Sequence, residues 1–518
     1  MTATPLLLLV LLLLTGADAV FRFASYYGDH MVLQQKPARA VVWGYGEVGA
    51  VVTVTLGRGI DTVSKTRVNV HGDVGVWKVV LDPMDHGGPY HLIAQQNIKG
   101  EITSIHLEDV LFGDVWICGG QSNMEMTVST IFNASQEKAK AAKYPYVRLF
   151  TAALESSETE LLDLPKVDLG WSIPTPQNLG NGDFTYFSAV CWIFGRHLAQ
   201  KLKYPIGLVE SVWGGTPVEA WSSKTALSKC GLSEAPKERA YPRLYRFMDT
   251  YAGPCENSVL WNAMIHPLLN MTIKGAIWYQ GEQNTGQNPN LYNCTFPALI
   301  QDWRRSFHEG SLGQTDPKFP FGFVQLSTYV KNPPKDNYPL IRWHQTADYG
   351  YAPNPKMPNT FMAVAMDLGD ETSPYGSVHP RDKETVAYRL YLGARAVAYG
   401  ERRVPFQGPF PENIDVSYTD SYMNITYNQE LLVTHFSDDI FEVFCSTGVD
   451  MNGKLQYAWV TAPAQAPSSR VVTVLFKGCS HIAAVRYAWS DWPCEYKACP
   501  IYSVRGRLPA PVFVEYFK

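Results

Sequence analysis

From Asp109 to about Tyr399, apolar runs of strand length alternate with stretches of helical periodicity, and no other property of the chain restricts its fold as strongly. The pattern predicts strands at Val115–Cys118, Ile206–Val212, Ile273–Tyr279, Phe321–Leu326 and Phe361–Met366, and helices over Ser188–Lys203, Phe296–Phe307 and Arg381–Tyr399. Strands that are apolar on both faces and separated by helices require a parallel sheet covered on both sides. On either flank the helical period disappears. Val51–Leu56, Val74–Leu81 and Tyr90–Ala94 precede the core as short β-branched or alternating runs, set apart by Gly, Pro and Asp. After it Val416–Tyr418, Ile425–Tyr427, Leu431–His435, Phe441–Phe444, Val471–Phe476, Ile482–Tyr487 and Val512–Phe517 read the same way. The expected fold class is therefore α/β, with a β-sandwich-like domain over 20–108, a parallel-sheet core over 109–405 and a second β domain over 406–518. At roughly 150 residues per domain, 518 residues accommodate all three.

The first nineteen residues stand apart. An unbroken apolar run, Leu6–Leu14, leads to the small-residue site Ala17-Asp18-Ala19, the pattern of a secretory signal peptide cut after Ala19. Nine apolar residues fall short of the ~20 a bilayer-spanning helix needs, and no later stretch does better, so no membrane span is expected. Downstream lie glycosylation acceptors at Asn133, Asn270, Asn293 and Asn424, as the secretory route allows. Nine cysteines permit disulfides there. Cys230 with Cys255 and Cys494 with Cys499 are plausible local bridges, and Cys118, at an apolar strand end, is the one expected to stay free. No Cys/His cluster has zinc-finger spacing. Lys and Arg total 44 against 48 Asp and Glu, a net charge of -4, so no basic excess exists to neutralise phosphates and nucleic acid is excluded as an expected partner.

Ligands of open α/β sheets bind beyond the carboxyl ends of the strands, and four such ends are unusual here. After Val115–Cys118 comes Gly119-Gly120-Gln121-Ser122-Asn123-Met124, where two glycines let the chain turn and set Ser122 at a strand-to-helix corner. Gly214-Gly215 follows the second strand and frees backbone N–H groups to donate. Gln280-Gly281-Glu282-Gln283-Asn284 follows the third, a polar cluster costly to bury without purpose. Beyond the last strand come Asp367-Leu368-Gly369-Asp370 and Ser377-Val378-His379-Pro380, with Pro380 suited to the first position of a helix. A serine in a glycine-rich loop is ordinarily a turn residue, and a histidine before a helix is ordinarily a cap. Together they acquire another meaning, because a serine hydroxyl is a weak nucleophile that histidine can activate, and the oxyanion of acyl transfer needs donors already in place.

These blocks resemble the SGNH (GDSL-like) hydrolases, in the branch of sialate O-acetylesterases and related carbohydrate acetylesterases. Gly120-Gln121-Ser122-Asn123-Met124, Gly214-Gly215, Gln280-Gly281-Glu282 and His379-Pro380 look like its four ordered blocks. Met31-Val32-Leu33-Gln34-Gln35 with Trp43-Gly44, and Val485-Arg486-Tyr487-Ala488-Trp489-Ser490, resemble its flanking β regions. The resemblance implies a serine esterase that removes O-acetyl groups, at the 9-position, from sialic acids or sialoglycans through an acetyl-enzyme, with no cofactor and no metal. Ser122 would be the nucleophile and His379 the base; Ser122, Gly214 or Gly215, and Gln280 or Asn284 would form the oxyanion hole. The aspartate common three residues before the histidine is Gly376 here, which makes Glu282 of the third block the first candidate to orient the ring, with Asp370 or a backbone carbonyl as alternatives. Arg342 or Arg381 could meet a sialate carboxylate, although either is more ordinarily structural. A general carbohydrate acetylesterase, or a glycan-binding protein around an inactive core, are the rival readings; an intact Ser122 and His379 argue against the second.

Overall fold

The computed structural model describes residues 20–517 except 58–61, 233–251, 332–336, 438, 450–454 and 480. The leader and its cleavage site lie outside the described residues. Seven strands build the central sheet: β1 (Glu101–Gly120), β2 (Val147–Ala152), β3 (Val167–Ser172), β4 (Ile206–Val212), β5 (Gly275–Tyr279), β6 (Phe321–Gln325) and β7 (Thr360–Val364). Their order is β3-β2-β4-β1-β5-β6-β7, parallel throughout except for the antiparallel edge strand β3. Strands β2 and β3, at that edge, have no counterpart among the elements read from the sequence.

The strands are covered on both faces by helices α2 (Ala189–Leu202), α3 (Tyr292–Gly310) and α5 (Lys383–Val397), with α1 (Ser122–Glu125) and α4 (Tyr338–His344) short pieces beyond the strand ends. Trp116 of β1 meets Phe194 of α2 and Phe361 of β7, on the side where α2 and α5 pack together. Gly119, three residues on and hence on the opposite face, lies against Trp278, which meets Trp303 of α3 edge-on. Helix α2 starts where Ser188 Oγ accepts the Cys191 N–H and stops at Lys203 in the left-handed region, as Ser188 and the loss of periodicity foretold. Helix α5 corrects the sequence reading: Asp382, not the His379-Pro380 step, caps it by accepting the Thr385 N–H at 3.0 Å, and Pro380 stays in the loop.

Strand β1 crosses the composition boundary near residue 108. Its first half is exposed and pairs in a hairpin with Gly87–Ile98, while its second half is fully buried at the centre of the parallel sheet. A second antiparallel sheet, containing Val41–Tyr45 and Val74–Val80, completes the N-terminal region. Beyond α5, two four-stranded antiparallel sheets and a two-stranded one follow, among them Tyr422–Tyr427, Phe441–Val449 and Ile482–Tyr487.

Four disulfides are present: Cys118–Cys191, Cys230–Cys294, Cys445–Cys479 and Cys494–Cys499. Two expectations fail. Cys118 is bridged, because the first turn of α2 places Cys191 over the end of β1; Cys230 pairs with Cys294 near the start of α3, and Cys255 takes part in none of the four. Of the sequon asparagines, Asn133 is exposed. Asn293 donates to Asp348 at 2.6 Å, Asn424 accepts from Thr473 at 2.7 Å, and Asn270 accepts from Lys78. Among the described residues, no helix is long and apolar enough to cross a membrane.

Candidate active site

Strand register assembles the site. Gly120 of β1 stands level with Val212 of β4 and Tyr279 of β5, so the chain emerges there on three adjacent strands, and Ser122, Gly214 and Gln280 follow within two residues. The first corner is tight. A Cβ on Gly120 would lie 2.1 Å from the Tyr279 carbonyl oxygen, and its φ of +141° suits glycine, so β1 can turn beside β5 only with glycine here. Gln121 then ties the first corner to the third by accepting the N–H groups of Gly281 and Gln283 at 3.3 Å each.

His379 arrives from farther away. Strand β7 is three positions from β1, roughly 14 Å at ordinary strand spacing, so the loop after β7 has to arch back over the ends of β6 and β5. Its base is held by Asp367, which is fully buried and accepts from both Arg389 Nη atoms at 2.6 and 2.8 Å. Further on, Ser373 Oγ donates to the His379 carbonyl at 2.6 Å and the His379 N–H donates to Gly376 O at 2.9 Å, which coils the loop under the ring.

The outcome is a hydroxyl–imidazole pair. His379 Nε2 lies 2.8 Å from Ser122 Oγ, and Nδ1 lies 2.7 Å from the Tyr375 carbonyl oxygen. A carbonyl can only accept, so Nδ1 carries the hydrogen and Nε2 presents its lone pair to the serine O–H. Burial pushes the imidazole down to about 4, which keeps it neutral and basic above that pH. The ring is 1% exposed, with Phe184 edge-on at 5.7 Å.

Neither carboxylate considered as an orienting acid touches that ring. Asp370 is engaged by Arg381, whose Nε and Nη2 donate to it at 2.6 and 2.9 Å. Glu282 accepts from Asn123 Nδ2 at 2.5 Å. That same Asn123 amide donates to Val378 O at 2.9 Å, and its oxygen accepts from Lys383 Nζ at 2.6 Å. Asn123 thus joins the serine corner, the Glu282 corner, the histidine loop and the first residue of α5. Lys383 is fully buried and pushed down to about 7 by that burial, while burial raises Glu282. Because the Nδ1 bond runs to the backbone, Asp370→Asn and Glu282→Gln are each expected to reduce ester turnover by less than about tenfold, ~1.4 kcal/mol. A much larger loss in either folded variant, read by steady-state kinetics, would restore a carboxylate as the orienting group.

The expected oxyanion donors divide. The N–H groups of Ser122 and Gly215 have no acceptor among the described residues and remain available. The Gly214 N–H donates to Glu125 Oε2 at 2.7 Å. Gln280 Nε2 donates to Thr216 O and Asn284 Oδ1, while Asn284 Nδ2 donates to Glu219 and to Gln287 O, so both amides cross-link the loops instead of facing an acyl oxygen. Neither arginine is a free clamp: Arg381 is held by Asp370, and Arg342 is 0% exposed with carbonyl oxygens as its acceptors. Sequence reasoning passed over Glu125, Asn123, Lys383 and Phe184. Glu125 was signalled only by its place one helical turn after Ser122.

A pair of this geometry can transfer an acyl group, and comparison with known proteins places it in a family. Residues 112–380 match the family described as carbohydrate esterase, sialic acid-specific acetylesterase, and residues 412–517 match the sialate O-acetylesterase C-terminal domain. The sialate O-acetylesterase of Homo sapiens is 54% identical over 98% of this chain and 96% of its own length, and that of Mus musculus is 52% identical over the same shares. Among solved structures, a carbohydrate acetylesterase from Xanthomonas citri superimposes with a TM-score of 0.74 and 28% identity, covering 95% of this chain and 99% of its own. With the family's sequence pattern spanning the whole Ser122–His379 arch and with identity sustained along nearly the full length, this chain belongs to the sialate O-acetylesterase family and is a carbohydrate ester hydrolase.

Proposed function

We propose that the chain removes O-acetyl groups from sialic acids, at the 9-position, through an acetyl-enzyme on Ser122, with residues 109–405 carrying the chemistry. The observation that carries the mechanism is the 2.8 Å contact of Ser122 Oγ with a His379 ring whose tautomer is set by the Tyr375 carbonyl. Ser122 Oγ attacks the acetyl carbonyl carbon, its proton passes to His379 Nε2, and the carbonyl π electrons move to oxygen, where the N–H groups of Ser122 and Gly215 are available. Collapse breaks the bond to the sugar oxygen, which takes the proton from His379 and leaves as the hydroxyl. Water then attacks the acetyl-serine and gives one proton to His379, which returns it to Ser122 Oγ as acetic acid departs and ionises to acetate in the solvent. The family membership supports sialic acid as the parent sugar.

The four disulfides support passage through an oxidising compartment, and with the sequence of residues 1–19 we assign the protein to the secretory route, either secreted or lysosomal. Acetate release from 9-O-acetylated and 4-O-acetylated sialosides, beside acetylated xylose, tests the substrate reading. The 9-O ester is expected to have the highest kcat/KM; preference for the xylose ester would replace sialic acid by a general carbohydrate substrate.

A further inference from the structure

The reaction proposed above develops negative charge beside Ser122, and the fold puts a carboxyl group there. Glu125 follows Ser122 by one turn of α1 and is 9% exposed. Its Oε2 accepts the Gly214 N–H at 2.7 Å, and Gly214 is pressed on the serine: a Cβ there would stand 3.2 Å from Ser122 Cβ and 3.0 Å from Glu125 Oε2. The other oxygen, Oε1, has no hydrogen-bond partner among the described residues. An ionised carboxylate so close would repel the oxyanion and also occupy one of the two glycine N–H groups of the second block. A neutral carboxyl removes the repulsion and supplies a donor in place of the occupied N–H, since Oε2 still accepts from Gly214 while Oε1 bears a proton that can be donated.

We propose that Glu125 is a catalytic residue that works protonated, its Oε2 fixed by Gly214 and its Oε1–H donating a hydrogen bond to the oxyanion formed on the acyl group. The inference rests on the acyl-transfer reading of Ser122. No proton leaves Glu125: the serine proton goes to His379, as before, and the carboxyl group stabilises the new charge by donation alone.

Burial favours the required form, pushing the Glu125 carboxyl up to about 7. Strand β4 contributes Glu210, itself pushed by burial to about 8 and further raised by Glu125. Beyond β5 stands Glu282, also raised by burial. Beyond Ser122 are His379, lowered to about 4, and Lys383, lowered to about 7. From α2, Arg196 is committed to Glu137 at 2.7 Å and burial holds His197 near 4; β1 contributes Asp114 at its far, opposite end. The sign follows. Activity rises as His379 loses its proton near pH 4 and falls as Glu125 loses its own near pH 7, giving an optimum between the two.

The test is kcat for acetate release from pH 4 to 9 in the wild type, Glu125→Gln, Glu125→Met and Lys383→Met, each checked for folding by thermal unfolding. A glutamine amide donates without titrating, so E125Q is expected to lose the basic limb and to exceed the wild type at pH 8.5 by about tenfold. E125M, which cannot donate, is expected to fall about 10²-fold at pH 5.5. K383M is expected to keep the basic limb. A limb that persists in E125Q, an E125M with wild-type kcat, or a limb lost only in K383M overturns the proposal. Should the Glu125 variants fail to fold, labelling of wild-type Ser122 by an uncharged fluorophosphonate decides, because its phosphoryl oxygen becomes the oxyanion. The labelling rate is expected to fall through pH 7, and a rate that is flat or rising from pH 6 to 9 overturns the role of Glu125. Absence of labelling at every pH would instead sink the Ser122 reading itself.

Discussion

Alanine at position 122 is expected to abolish acetate release while leaving the fold in place. The loss should be on the order of 10⁴–10⁶-fold in kcat, the range seen when a serine that acts as a unit with its base is removed. The fold should survive because the Ser122 side chain makes one hydrogen bond, to His379, while the corner around it is held by its neighbours: Gln121 N–H to Tyr279 O at 3.0 Å, Gln121 Oε1 to the 281–283 loop, and Asn123 to Glu282, Val378 and Lys383. Unfolding free energy is therefore expected to fall by only about 1 kcal/mol, the worth of one hydrogen bond. His379→Ala should cost about as much as S122A, and the double variant little more than either, since each leaves the same residual site. Acetate assays together with fluorophosphonate labelling check all three; retained turnover in folded S122A would remove the nucleophile from the mechanism. One quantitative consequence separates this site from a carboxylate triad. The Tyr375 carbonyl orients the ring but brings no full negative charge to the imidazolium, so more of the stabilisation must come from the oxyanion side.

How far this site could be read from the chain follows from what leaves a mark in sequence. Ser122 and His379 are 257 residues apart and meet at 2.8 Å, and each stands beyond a strand end that the sequence marks. Alternating strands and helices force a parallel sheet, a parallel sheet sends all its carboxyl ends to one edge, and glycines at those ends show where the backbone must turn. Backbone partners leave no such mark. Nothing in residue 375 being tyrosine announces that its carbonyl will orient the ring, so Glu282 and Asp370 were weighed on side-chain chemistry alone. Amides are ambiguous for a related reason: Gln280 and Asn284 carry both donors and acceptors, and in a buried loop cluster they satisfy one another before any substrate oxygen. Strands β2 and β3 escaped because they lie at the sheet edge, outside the repeating strand–helix spacing. The Cys118 bridge is not legible in the chain because disulfide partners are set by tertiary proximity, here by the docking of α2 on β1.

Arg342 carries the remaining lesson, and its replacement is expected to have the largest effect on stability. Sequence makes it a candidate to meet a sialate carboxylate; in the fold it joins the parallel-sheet core to the C-terminal β region. Its Nε donates to Leu326 O at 2.9 Å and its Nη2 to Ser327 O at 2.8 Å, both just past β6, while Nη1 and Nη2 donate to Ser490 O at 2.7 Å and Asp491 O at 2.8 Å. The Asp491 side chain completes the joint by accepting the Tyr329 N–H at 2.8 Å. Burial raises this carboxyl and the nearby guanidinium opposes that rise, so the arginine helps keep it ionised. Arg342→Met would leave three buried carbonyls and the part-buried carbonyl of Ser490 without their donor, and an aspartate without its compensating charge. The expected cost is about 3–5 kcal/mol, as for removing one member of a buried pair, and roughly 3–5 °C in Tm for a chain of this length. Arg342→Lys should recover little of it, because one ammonium cannot span acceptors arranged for a planar fork. Below its melting transition R342M should keep the wild-type KM for a sialoside, since no part of the guanidinium is exposed. A variant as stable as the wild type but with a much higher KM would move Arg342 from the domain joint to the substrate.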